Sequence, residues 1–197
     1  MYILSIDIGL YHMGIVGSNV NEDYTIKNLD FCDLIDITIF KCDKKKCRFG
    51  HSKLMADYIF HFLDSNNELF EKADYIIIER QPPGGLIVLE QLIMFAYRNK
   101  CHLVSPNSMH KHYSLRNLDY DQRKIRVVKL TENILKKFDT FNKMKRKHDM
   151  ADAYLILRFF LFNKNKKYER EKNLKEWKKN NHKFIKDINK FRYDPNN

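Results

Sequence analysis

The stretch DYIIIERQPPGGLIVLEQLIMFAYRNKCHLVSPNS, residues 74–108, decides the fold class. Its opening run of isoleucines is a short strand saturated with apolar residues, as in a sheet covered on both faces. PPGG (82–85) is a turn signal. LIVLEQLIMFAYRNK (86–100) is interrupted in its first twelve residues only by Glu90 and Gln91 and reads as a helix. CHLVSPNS (101–108) reads as another strand running out into a polar loop. A strand, a helix and a strand in this order imply a crossover between parallel neighbours, hence an α/β fold.

Upstream, MYILSIDIG (1–9), MGIVGSNV (13–20) and KNLDFCDLIDITIF (27–40) read as three strands of an antiparallel meander. SKLMADYIFHFLDSNNELF (52–70) places apolar residues at 54, 55, 58, 59, 62 and 63, the spacing of one helical face. Downstream, RKIRVVKLTENILKKF (123–138) is an amphipathic helix and KRKHDMADAYLILRFFLF (145–162) is the last core helix. The expected order is βββαβαβαα: a mixed five-stranded sheet with helices on both faces.

Residues 1–162 are read as one domain and 163–197 as a basic C-terminal extension. In the extension Leu174, Trp177, Phe184, Ile185, Ile188 and Phe191 form a rough helical stripe, expected to pack as an extra helix anchored by Trp177. Of a net charge of +11 over 197 residues, a surplus of seven lies between 164 and 197, where twelve Lys or Arg face five Asp or Glu. A polyanion is one partner that such charge fits, through release of its counterions; a solvated tail is the other reading. A hydrophobic content of 44% argues against a disordered chain. Four scattered cysteines, Cys32, Cys42, Cys47 and Cys101, and an N-terminus without a charged leader region point to a reducing, intracellular compartment. No apolar run approaches the roughly 20 residues that cross a bilayer, so no membrane association is expected.

Four acids stand where buried elements end. Asp7 closes the first strand and Glu79 the fourth, at the carboxyl ends where ligands of open α/β sheets collect. Asp149 and Asp152 lie three apart at the start of the last helix. That spacing suits a pair resembling a capping box, and it also puts both carboxylates on one helical face. Carboxylates that converge repel one another unless hard cations neutralise them, and oxygen-only ligation suits Mg2+ or Mn2+. Two such ions per site are the arrangement that cleaves phosphodiesters.

Taken in order, Asp7, the segment IERQPPGG (78–85), LVSPNSMHK (103–111) and KHDMADA (147–153) resemble the RNase H-like superfamily, and within it the RuvC-type Holliday-junction resolvases. The nearest likeness is to the branch in poxviruses and other large nucleocytoplasmic DNA viruses, over about residues 2–162. The resemblance implies an RNase H-like fold and a homodimeric, Mg2+-dependent endonuclease that nicks two symmetric strands of a four-way DNA junction, in host cytoplasm or virion. It implies Asp7, Glu79, Asp149 and Asp152 as metal-binding acids. It also implies a basic catalytic residue at the start of the helix before the last, for which Lys124 fits best beside Arg123 and Arg126. Where bacterial members carry an aromatic wedge three residues after the glutamate, this chain has Pro82.

Arg80, Gln81, Arg123, Arg126, Lys145, Arg146 and Lys147 are the candidate DNA contacts. Cys42, Cys47 and His51 have a zinc-like cadence, to which Cys32 could supply a fourth ligand. Their spacing matches no C-x2-C pattern, so a loop with buried thiols is expected there rather than a zinc site. His148 is a candidate accessory residue because it abuts Asp149. The near-continuous apolar helix 86–97 offers either a dimer contact or simple burial. Two rivals to the junction nuclease are a non-catalytic binder of structured DNA and a nuclease acting on RNA–DNA hybrids.

Overall fold

The computed structural model describes residues 1–182. A single mixed sheet runs in the order β3 (Ile26–Ile35), β2 (Met13–Val20), β1 (Tyr2–Asp7), β4 (Tyr75–Glu79), β5 (Cys101–Val104). β1 pairs antiparallel with β2 and parallel with β4; β2 with β3 is antiparallel and β4 with β5 parallel. The meander and the crossover both stand.

Alternation along the strands sorts side chains to two cores. Leu4 and Ile6 of β1 and Ile76 and Ile78 of β4 face α1 (Met55–Ser65), α2 (Asn67–Lys72) and α3 (Ile87–Ala96). Ile3 of β1, Val16 of β2 and Ile77 of β4 face α5 (Tyr120–Leu135) and α7 (Lys147–Asn180). Ile76, Ile77 and Ile78 are all fully buried, each burial contributing about 1.5–3 kcal/mol. By the same parity Asp7 and Glu79 lie on the α7 side. Ile6 pairs with Ile78, so the next residues, Asp7 and Glu79, end two parallel strands side by side.

Several local expectations are corrected. The third strand stops at Ile35, not 40, because Asp36 turns the chain by accepting from the Thr38 amide at 2.9 Å and its hydroxyl at 2.6 Å. The helix read over 52–70 breaks into α1 and α2 at Asn66, whose side-chain amide donates back to Phe62 O at 2.8 Å. SPNS is not a loop: Ser105 is the N-cap and Pro106 the first residue of α4 (Pro106–His112), a position that needs no amide donor. A short α6 (Asp139–Lys143) precedes the last helix.

That last helix, α7, runs unbroken from Lys147 to Asn180. The expected division at residue 162 therefore falls inside one helix, where burial changes rather than backbone: Leu161 is 3% exposed, whereas residues 170–180 are exposed throughout. Lys164 lies over Tyr75 and Phe160, and Asn165 Nδ2 donates to Asp23 O at 2.6 Å. These are among the last contacts before the helix projects. Trp177 and Leu174 are about half exposed and anchor nothing among the described residues. Phe184, Ile185, Ile188 and Phe191 lie outside them.

Candidate active site

Strand ends, the start of α5 and the start of α7 meet around a cleft of about 420 Å3. Asp7, Glu79, Asp149 and Asp152 line it together with Arg123, Lys124, His110, Tyr120, His148 and Pro82. The four acids singled out in the sequence are thus brought to one place by β1, β4 and α7. What lets α7 come so close is Gly14, which pairs with Asp7 across β1 and β2. A Cβ on Gly14 would strike the carbonyl of Asp149.

Neither Asp149 nor Asp152 caps the helix, contrary to the capping-box reading. Arg146 is the N-cap residue with no side-chain cap bond, and Asp149 is the third residue of the helix, within its first turn. Its buried carboxylate is gripped by Arg146 instead, Nε to Oδ2 at 2.9 Å and Nη2 to Oδ1 at 3.3 Å. A true capping box stands at α5, where Asp119 accepts from Gln122 N at 2.8 Å.

Crowding of acids at the bottom of a cleft changes their protonation. Burial pushes the Asp7 carboxyl well above its ordinary 3.8, and the charges of Asp152, Glu79 and Asp149 add to it. Burial likewise raises Asp152 to about 7, helped by Glu79 and Asp149 and opposed by Arg123 and Lys124. Glu79 is raised by burial to about 7 against the pull of Arg123. His148 Nε2 lies 3.2 Å from Asp149 Oδ1, yet out of line for a hydrogen bond, and this buried nitrogen has no partner among the described residues. Burial holds its imidazole below the usual range despite Asp149. An oxygen-rich, mutually repelling donor set of this kind fits a hard divalent cation, and Asp7, Glu79, Asp149 and Asp152 are the residues that would hold it.

The cations divide. Arg123 and Lys124 line the cleft, with Lys124 Nζ 3.8 Å above the Tyr120 ring and Arg123 Nη1 3.5 Å from His110 Nδ1. Arg126, on the same helix, is exposed and outside the cleft lining. Arg80 and Lys145 are exposed beside the cleft-forming segments, and Lys147 lies 5.3 Å over Phe141. Gln81 is held in place: its amide donates to the buried Glu90 Oε2 at 2.6 Å and its side chain to Glu79 O at 3.3 Å. His110 and Tyr120 were not singled out in the sequence. His110 hid in a segment read as loop, and Tyr120 precedes the helix start assigned there.

Away from this cleft, Cys42, Cys47 and His51 do come together, and their fourth neighbour is His61 rather than Cys32. Cys32 is buried in β3 against the opposite core.

No protein-family model matches the sequence, and no curated protein matches it. Solved structures do. The fowlpox virus resolvase in complex with Holliday-junction DNA superposes with a TM-score of 0.59 at 17% identity, over 83% of this chain and 98% of that one. The yeast mitochondrial Holliday-junction resolvase gives 0.56 at 20% identity, over 85% and 81%. RuvC of Thermus thermophilus, bound to its Holliday-junction substrate, gives 0.50 at 12% identity, over 83% and 95%. At these identities the likeness establishes the fold: this chain has the RNase H-like fold in the form that these resolvases share. Among the described residues no helix is long and apolar enough to cross a membrane.

Proposed function

We propose that the chain is a Mg2+-dependent endonuclease that nicks symmetric strands of four-way DNA junctions as a homodimer. The observation that carries this reading is the convergence of Asp7, Glu79, Asp149 and Asp152 in one cleft rimmed by Arg123 and Lys124. Binding of DNA alone needs no such cluster, whose mutual repulsion and burial hold protons on the acids. The fold shared with the fowlpox virus and yeast resolvases supports the choice of branched DNA.

When bound, a pair of divalent ions at such a site activates water and stabilises the leaving oxygen of a phosphodiester. Asp7 and Glu79, fixed at adjacent strand ends, and Asp149 and Asp152, three residues apart on α7, are the residues that would hold the ions. Arg123 and Lys124, which line the same cleft, would stabilise charge on the scissile phosphate. The strand-end loop at Arg80 and Gln81, pinned by Glu90, presents polar groups to the junction where Pro82 replaces a wedge. The exposed lysines of α7 beyond residue 162 extend the phosphate-binding surface. With four free cysteines, the protein suits a reducing compartment, such as the cytoplasm of an infected host, or a virion.

The deciding assay incubates the purified chain with a labelled four-way junction, a linear duplex and an RNA–DNA hybrid, with Mg2+ or with EDTA. Symmetric nicks on the junction, abolished by EDTA and by Asp152→Asn, are expected. Junction binding without any cation-dependent cleavage would reduce the protein to a binder, and preferential cleavage of the hybrid would reassign the substrate.

A further inference from the structure

Between β3 and α1 the chain runs from residue 36 to 54 without a strand or a helix. Such long irregular segments inside a compact fold are uncommon unless something other than backbone hydrogen bonding holds them. From 38 to 54 the backbone makes one hydrogen bond to itself among the described residues, Lys46 N to Asp43 O at 3.0 Å. The segment is also crowded with like charge, in Lys41, Lys44, Lys45, Lys46 and Arg48. Backbone pairing and charge both leave its conformation unexplained.

Its side chains explain more. Cys42 Sγ lies 3.1 Å from His51 Nε2, and Cys47 Sγ lies 3.2 Å from Nε2 of His61, which sits on α1. The four ligand atoms all fall within 4.8 Å of one another. Zn2+ binds thiolate sulfur at about 2.3 Å and imidazole nitrogen at about 2.0–2.1 Å, and a tetrahedron of those bonds spaces sulfur from nitrogen by about 3.5 Å. The two sulfur–nitrogen contacts, at 3.1 and 3.2 Å, are within a few tenths of an ångström of that figure, and the remaining separations, up to 4.8 Å, would close on binding.

The surroundings are those of a ligand cage. His61 is 4% exposed, and its Nδ1 meets Asp57 O at 2.6 Å. That contact places the proton on Nδ1 and leaves Nε2, the atom facing Cys47, with a free lone pair, the orientation that a partner for the outer nitrogen gives to ligating histidines. The same Asp57 holds the far end of the loop, its carboxylate accepting from Ser52 N at 2.9 Å next to His51. Phe40 packs 4.3 Å from the His61 ring and 5.2 Å from His51, and Phe49 lies 5.4 Å from His61. These rings flank the two histidines, His61 buried and Cys42, Cys47 and His51 half-buried, and the thiols are unbridged.

We propose that Cys42, Cys47, His51 and His61 form a structural zinc site that ties the basic loop between β3 and α1 to the helix beneath it. Two thiolates and two neutral imidazoles make a closed set, with no ligand position left for substrate water. On binding, the thiols give up their two protons to solvent, and the dication with two thiolates is electrically neutral. The oxygen-only acids of the cleft select a different class of ion, so this site and the active-site reading stand or fall separately.

The test uses the full chain, purified under reducing conditions without chelator. Elemental analysis should find one zinc per chain in the wild type, in Cys32→Ser and in Asp152→Asn, and none in the Cys42→Ser, Cys47→Ser double variant. Replacing zinc by Co2+ should give the thiolate-to-metal charge-transfer absorption and d–d bands of a tetrahedral sulfur-nitrogen site, again unchanged by Asp152→Asn. Should the double variant not fold, alkylation of the wild type decides. Cys42 and Cys47 should resist iodoacetamide until a strong chelator is added, and then label. Wild-type protein without zinc that also shows no cobalt–thiolate absorption overturns the proposal, as does prompt labelling of both thiols before chelation. A Cys42–Cys47 disulfide in freshly prepared chain overturns it equally.

Discussion

Gly14 and Asp149 touch through their backbones: the α-carbon of the one faces the carbonyl of the other so closely that a methyl group would not fit between them. Gly14 also pairs with Asp7. One glycine therefore sets the separation between the strand-borne and helix-borne halves of the acid cluster. Gly14→Ala must push the start of α7 away from the sheet. Such overpacking costs about 1–3 kcal/mol, a fall in Tm of several degrees for a chain of this size. Cleavage should fall by more than about tenfold, because a displacement of about an ångström at reacting groups is costly. Wild-type activity in Gly14→Ala, measured on the junction with saturating Mg2+, would show that the halves need not be held at this spacing.

The protonation of the cleft makes a second prediction, in the metal-free chain. The carboxyls of Glu79 and Asp152, ordinarily near 4.5 and 3.8, are each raised to about 7 on folding, and Asp7 is raised too. Between about pH 4 and 7 Glu79 and Asp152 keep protons in the folded chain that they have lost in the unfolded one, so these two groups lower stability as pH rises through that window. Their penalty is absent below about pH 4 and complete only about a unit above pH 7. Asp152→Asn removes part of it. The stability of the variant relative to wild type, from urea unfolding in EDTA, should therefore grow by on the order of 2 kcal/mol between about pH 5 and pH 8. Added Mg2+ should stabilise the wild type most at the alkaline end. A difference that stays constant with pH would mean that Asp152 is not held in this field.

Much of this architecture is written in residue order, and the exceptions have local physical causes. Strand parity, read from ILSID and YIIIE, suffices to put Asp7 and Glu79 on one face. The i,i+3 spacing of Asp149 and Asp152 suffices to aim both at that face. The start of α4 was hidden because Ser-Pro-Asn serves a turn and a helix N-terminus equally well, and only the chain beyond it decides. The continuation of α7 past Phe162 was hidden because burial, the usual signal for a helix, ends there while helix-favouring Lys and Glu carry the backbone on. His61 escaped because it occupies the apolar face of α1, where a histidine reads as packing, ten positions from His51. A ligand set split between a loop and a helix has no short motif.

Arg146 was a candidate phosphate contact by its neighbours Lys145 and Lys147. In the structure its guanidinium is committed to Asp149. If that grip persists on DNA, Arg146→Ala should leave the salt slope of junction binding unchanged. Lys145→Ala, whose side chain is exposed, should reduce the slope by about 0.9, one phosphate contact. Binding isotherms at several salt concentrations in the Asp152→Asn background, where no cutting intervenes, give both slopes. A fall in slope on losing Arg146 would return it to the DNA.

A junction presents two equivalent strands, and two cuts by one enzyme call for two sites related by a two-fold axis. The surface that suits this role is the outer face of α3. Leu89 and Ile93 of that helix are buried against the sheet, but Val88 is 56% and Phe95 82% exposed, two turns apart on one side. An aromatic left so bare costs nothing to the fold when replaced, since exposed substitutions usually fall within about 0.5 kcal/mol, yet it is the kind of anchor on which interfaces depend. Phe95→Asp should therefore keep the thermal transition of the wild type while shifting the sedimentation coefficient from dimer to monomer. Junction cleavage should then pass from paired to single, uncoupled nicks, resolved by following both labelled strands of a cruciform in a supercoiled plasmid. Linearised product formed by the variant as fast as by the wild type, or a variant that still sediments as a dimer, would move the interface elsewhere on the molecule.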